Sequence, residues 1–334
     1  MHVPLEPNLQ PRWNMGFPKW LAAVTAAVGL AAGIKAASGV PPAAGLLETH
    51  TLFTVYGRGF RIAPILGRLG SYADFAALES GTRDLVGEVA RDSGKPVASG
   101  IDLIYGLAVP CKGRGDCLEY LDGSQNLVER YIVPAQARSM TVVLDTQLGR
   151  SDPVAQIQHM IGKGYLDYEN VHVAVDPEFH VYPGGSLPGS PIGVVTAGQI
   201  NDAQALLDAL VARKNLRTKK ILIVHQFGDA TVRDGVPVMI RGKAALRTFP
   251  NVELVVDMDG LGTPLMKVHK YNRITSSAAY PLIQFRGIKV FYRSPLEHHG
   301  HFDKPPLTIP QVFGLQPVPG GVRMESKPNV VIVA

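Results

Sequence analysis

The chain has 334 residues, of which 46% are hydrophobic and 18% charged, with a formal net charge of +5. That apolar fraction can build a full globular core, and it excludes a disordered or fibrous chain. Basic residues are scattered apart from a short run at 217–220, which reads as a solvated helix end, so nucleic acid is not expected as a partner.

The first feature in chain order is "WLAAVTAAVGLAAGI", residues 20–34. Arg12 and Lys19 precede it, and Ala36, Ala37 and Ser38 follow. A basic region, an apolar region and a zone of small residues make a secretory signal, predicted over residues 1–38. The run is shorter than the roughly 20 residues a spanning helix prefers. Lys35 suits cleavage poorly, so attachment to the membrane through an uncleaved segment is the alternative, and a buried Ala-rich helix is the bland one. Residues 39–50 are expected as a linker, and residues 51–334 as a single domain.

Eight apolar, β-branched runs follow: 51–57, 100–109, 140–146, 170–176, 220–226, 252–259, 288–293 and 329–334. Near-continuous apolar runs mark parallel strands buried on both faces. Helical segments lie between them. "SDPVAQIQHMIGKG" offers Asp152 as N-cap and Pro153 in the first turn, with Val154, Ile157 and Ile161 as its apolar stripe. "NDAQALLDALVARKN" predicts a helix starting at Asn201, and "TPLMKVHKY" repeats the cap-and-proline device at Thr263 and Pro264. Cys111 and Cys117 bracket a Gly-rich loop and are expected to pair as a disulfide, which fits an oxidising compartment. The Arg-Gly-Asp inside that loop reads as chance.

Eight strands alternating with helices predict an α/β fold, a (β/α)8 TIM-type barrel. An open doubly wound parallel sheet is the alternative. The G-x-G at Gly57 and Gly59 is read as a tight turn, because Ile62 stands where a third glycine would be. No cofactor is expected.

Barrel active sites lie at the C-terminal ends of the strands. Those ends carry Tyr56 and Arg58, Tyr105, Asp145 and Gln147, Asp176 and Glu178, His225 and Gln226, Asp257 and Asp259, and Tyr292 with Arg293. Burying a carboxylate without a partner is expensive, so an acidic rim on greasy strands points to a ligand or catalytic site. Paired carboxylates serve glycoside hydrolysis, one as neutral acid and one as ionised nucleophile or base. The candidate catalytic residues are Glu178, Asp176 and Asp257. Asp145, Gln147, His225, Gln226, Asp259, Tyr56, Arg58, Tyr105 and Tyr292 are the candidate substrate-binding residues, with a carbohydrate as the ligand. The competing roles are structural: an Asp there caps the next loop or pairs with Arg58, Arg150 or Arg293.

The Asp-x-Glu at 176–178 resembles the barrel-type glycoside hydrolases, lysozyme-like muramidases among them. That resemblance implies Glu178 as the acid and Asp176 as its partner. The muramidase pattern adds an Asp on the first strand, where "TVYGRGF" has none. Separately, "YGRGFRIAPILGRLG", "LDTQLGRSDPVAQIQHMIGKGY" and "GIKVFYRSP…HFDKPPLTIPQVFG" resemble a group of exported bacterial barrel proteins of unassigned function, which implies a barrel and export but no activity.

Two other chemistries stand beside this one. A non-catalytic surface protein would hold a ligand or cation in the acidic mouth. A metal-dependent hydrolase would draw on His299 and His301, completed by His225 or Asp257. His159, His172 and His269 read as surface residues. No G-x-S-x-G elbow occurs. The Gly- and Pro-rich stretch 177–199 is expected to wall the cleft.

Overall fold

The computed structural model describes residues 43–113, 115–123, 126–228, 238–293 and 301–334. The signal-like segment, Arg114 of the Arg-Gly-Asp, and Glu297, His298 and His299 lie outside the described residues.

The strands are β1 (Thr51–Gly57), β2 (Val97–Ala108), β3 (Leu118–Tyr120), β4 (Thr141–Thr146), β5 (Val171–Val175), β6 (Val195–Thr196), β7 (Lys220–Gln226), β8 (Ile240–Arg241), β9 (Val252–Met258), β10 (Phe285–Val290) and β11 (Val330–Val333). Around the main sheet the order is β1, β2, β4, β5, β7, β9, β10, β11, and β1 pairs with both β2 and β11. The sheet therefore closes on itself with every neighbour parallel, which excludes the open doubly wound alternative. All eight predicted strands form this (β/α)8 barrel. The short β3 runs antiparallel to the end of β2, which therefore projects beyond the ring. Between them, Cys111 and Cys117 form the expected disulfide.

The helices are α1 (Leu46–Thr49), α2 (Phe75–Ser93), α3 (Val133–Gln136), α4 (Pro153–Gly162), α5 (Ala197–Lys214), α6 (Pro264–Ile274) and α7 (Ile309–Val312). Their starts obey local chemistry. The Asp152 carboxylate accepts from Ala155 N (2.8 Å) and Pro153 opens α4. Its buried face is Pro153, Gln156, Ile157 and Met160, and Val154 and Ile161, partly buried, pack against the edge of the same core. Helix α5 starts at Ala197 and not at Asn201. Thr196 and Gln199 form a reciprocal capping box there, a stronger stop signal than Asn201, whose side chain instead bonds Ala245 O and Arg247 N. Among the described residues, no helix is long and apolar enough to cross a membrane.

Alternation along each strand divides the apolar residues into two cores. The larger lies between barrel and helices and includes Phe53, Leu103, Leu144, Val173, Leu222 and Val256. The smaller fills the barrel: Leu52, Val143, Ala174, Ile221, Ile223, Val255, Val330 and Ile332. Leu47 of α1 joins that inner core with no exposure. The Glu253 carboxylate accepts from Leu46 N (3.0 Å) and Leu47 N (2.9 Å). The stretch expected as a linker thus closes the barrel floor from Ala43 onward. Two positions read as solvated are buried: His172 Nδ1 accepts from Ile221 N inside the ring, and Lys220 Nζ donates to Tyr168 O and Val171 O.

Candidate active site at the barrel mouth

Above the apolar layers, the inward positions turn polar. Parity places Tyr56 of β1, Asp102 of β2, Asp145 of β4, His225 of β7, Asp257 of β9 and Lys289 of β10 on the inner face. Asp176 and Asp259 follow immediately after β5 and β9. Asp102, Asp145, His225 and Asp257 have no solvent exposure, and Asp176, Asp259 and Lys289 are nearly as buried. With half-buried Glu178, six carboxyl groups meet two basic groups in one space.

Their contacts form a connected set. His225 Nδ1 lies 2.9 Å from Asp257 Oδ2 and 3.7 Å from Asp259 Oδ2, and its Nε2 faces Asp145 Oδ2 at 3.6 Å. Lys289 Nζ donates to Asp259 Oδ2 (3.1 Å) and sits 3.5 Å from the centre of the Tyr56 ring. Asp257 has room only because β10 carries glycine beside it: a Cβ on Gly287 would fall 2.5 Å from Asp257 Oδ1.

Asp176 and Glu178 do not share an extended strand. β5 stops at Val175, and Pro177–Phe179 forms a 3-10 turn. Asp176 caps that turn, Oδ1 accepting from Glu178 N (3.1 Å), so the structural role weighed for it is realised. Gly193 N donates to Glu178 O (2.7 Å), and any side chain on Gly193 would collide with Pro177 O. The stretch after β5 thus clamps Glu178 from both sides.

Burial pushes the Asp102 carboxyl up to about 8, with the Asp145 charge adding to it. Burial likewise raises Asp176 well above the carboxylate range and raises Asp257. Glu178 is pushed up to about 7, by burial first and then by the Asp259 charge. Asp259 moves the opposite way. Burial would raise it, but the Lys289 and His225 charges and the Gly260 N–H outweigh burial and hold it ionised. For His225, burial and Lys289 disfavour the charge, and the nearby Asp145 and the hydrogen-bonded Asp257 overcome them, so it is held as imidazolium. Neighbouring carboxyl groups thus occupy opposite protonation states.

Other sequence candidates fall elsewhere. Arg58 turns away from the barrel axis, donating to Ile104 O (2.7 Å), Tyr105 O (3.0 Å) and Glu119. The Tyr105 hydroxyl meets Asp122 and His159 on the helix side. Gln147 Oε1 accepts from Ala108 N, and Gln226 is held by Lys243 and Gly228. Arg150 braces the disulfide loop through Gly113 O and Gly115 O. Tyr292 lines a cleft of about 890 Å3 beside the acidic centre, under Arg68. Two central groups escaped the sequence reading, Asp102 and Lys289. Asp102 is the lone charge of β2, and Lys289 stands between Ile288 and Val290; a charge set among apolar strand residues is the signal that marks them.

His225, Asp257 and Asp259 each offer one ligand atom, all within 4.8 Å of one another, so they are the described residues fitted to hold a metal ion. Both carboxyl oxygens of Asp102 and of Asp145 lack a hydrogen-bond partner among the described protein groups. Such groups require a proton, a cation or a polar ligand. The arrangement can therefore give a proton, hold a negative charge near a reacting centre, or bind a cation. No family model matches the chain, and neither a curated protein nor a solved structure matches it.

Proposed function

We propose that this barrel hydrolyses glycosidic bonds of an extracytoplasmic glycan by carboxylate acid–base chemistry. One feature carries the reading: half-buried Glu178 is pushed up to about 7 by burial and the Asp259 charge, while Lys289 and His225 hold Asp259 ionised. Glu178 is the proton donor. It is also the most exposed carboxyl group of the set, as a group that must reach a leaving oxygen has to be. As the carbon–oxygen bond breaks, its proton passes to the departing sugar. Asp259 faces the positive charge that develops on the other fragment, and either attacks it or activates the water that adds. Where Asp259 attacks, water then displaces it and gives one proton to Glu178 as its hydroxyl joins the sugar; where Asp259 activates the water it takes that proton itself, and Glu178 is reprotonated from solvent. Lys289 and His225 keep Asp259 ionised, and Asp257 and Asp145 orient the His225 ring. The sequence placed Asp176 or Asp257 in the second role. Asp259 fits it better, because burial favours the neutral form of the other two. The disulfide is consistent with an extracytoplasmic setting.

The test is Glu178→Gln on a glycan panel, with reducing ends counted. Loss of general acid catalysis is worth about 10²–10⁴-fold in turnover, with binding retained. Unchanged turnover would remove Glu178 from the chemistry.

A second reading rests on the His225, Asp257 and Asp259 ligand atoms. A divalent cation there would replace the His225 proton and activate water. The Lys289 ammonium already supplies a cation to Asp259, which favours the acid–base reading. Activity abolished by a chelator and restored by one divalent metal would reverse that preference.

A further inference from the structure

We infer that the cleft beside the acidic centre binds an anionic substituent of the saccharide, a carboxylate or a sulfate, next to the bond that is cut. The inference rests on the glycan reading above and adds the charge of the substrate.

The cleft and the acidic centre share two walls. The Tyr56 and Phe291 rings line the cleft and also carry Lys289 Nζ, at 3.5 Å and 5.5 Å from their centres. Beyond them the exposed charges are basic. Arg68, Arg293 and Lys304 line the cleft, and no described carboxylate pairs with any of the three. The one described acidic side chain in the lining, that of Asp303, is fully buried and spent. It accepts from Gly262 N (3.0 Å) and Phe291 N (2.9 Å) and pairs with Lys267 Nζ (3.0 Å).

The three cations are also held in place. The Arg68 guanidinium lies 5.4 Å from the Tyr292 ring centre and donates to Tyr72 Oη (3.1 Å). Arg293 and Lys304 lie 5.4 Å and 5.2 Å from the Phe302 ring. Aromatic faces that position cations also offer flat surfaces to sugar rings. A ligand with a negative group is drawn to the cations of the cleft, Arg68, Arg293 and Lys304. It can therefore dock in one direction only, with its neutral linkage over Glu178.

The experiment measures binding and not turnover, using full-length protein carrying Glu178→Gln. The probes are trigalacturonate against its methyl ester, and a sulfated galactan trisaccharide against its unsulfated form. At low salt, at least one acidic probe binds about tenfold tighter than its neutral counterpart, and the gap closes as salt rises. Adding Arg68→Gln, Arg293→Gln and Lys304→Gln together removes the preference while the melting temperature holds. The pair that shows the preference identifies the anion. Equal affinity within both pairs, no binding of either acidic probe, or a preference that survives the triple variant overturns the inference. An acid preference in a protein that never cleaves a glycan would sink the hydrolase reading and leave this one standing. Cleavage of neutral glycans without acid preference would do the opposite.

Discussion

Lys289 donates to Asp259 across 3.1 Å inside the barrel mouth, and that bond separates the carboxyl groups there into two kinds. Asp259 stays ionised, while Glu178, Asp102, Asp176 and Asp257 are driven toward their neutral forms. Four expectations follow from the difference.

The first concerns activity against pH. Glu178 must hold its proton to act as the acid, and burial places its titration at about 7. Turnover should therefore fall tenfold per pH unit above roughly 7. A pH–rate profile flat to pH 9 would contradict this role.

The second concerns stability against pH. Asp102 is raised in the fold to about 8, so the folded chain binds a proton that the unfolded chain has already released. Its contribution is complete below the ordinary carboxyl value and shrinks as pH climbs toward 8. The steepest loss is about 1.4 kcal/mol per pH unit for one proton. Urea denaturation of Asp102→Asn should show a shallower decline between pH 5 and 8 than the parent. An identical decline would mean that Asp102 is not the group responsible.

The third removes the ammonium. Lys289→Met leaves Asp259 buried beside other acids with the nearer of its two counter-charges gone. Breaking a buried pair from one side costs about 3–5 kcal/mol, readable as a lower urea midpoint at pH 7. Part of that loss should return at pH 4, where Asp259 can take a proton. Equal loss at both pH values would make Lys289 a packing residue only.

The fourth uses β10. Gly287→Ala puts a methyl group against the Asp257 carboxyl, 2.5 Å from Oδ1. Overpacking of this kind costs about 1–3 kcal/mol. It should also loosen Asp257 from His225, so the imidazole titrates at lower pH by NMR. An unmoved His225 titration would show that Asp257 shifts without leaving the ring.

The barrel was legible because its strands are continuous apolar runs, and the eightfold repeat limits the topologies that can hold them. The mouth was legible only in part, and the reason is parity. Where both faces of a strand are apolar, the sequence does not say which face turns inward. Tyr105 and Gln226 stand beside the inward Ile104 and His225 and so point out to the helices. Strand length misled as well. β2 extends past the ring to pair with β3, so its level with the mouth falls at Asp102, well before its end. The turn at 177–179 could not be foreseen from the Asp-x-Glu spacing, which suits an extended strand equally well.

Among the described residues, the plug formed by α1 and Glu253 closes the floor of the barrel and leaves its mouth open. Leu47 sits among Leu52, Ile221 and Val330, so apolar side chains fill the floor of the ring. In the proposed reaction, substrate, product and the proton that reloads Glu178 would all use that opening, so arrival and departure would take turns there. A chain shortened to begin at Thr51 would acquire a back entrance. Its buried acids would then titrate nearer the values they have in water, and the two kinds of carboxyl group would become one.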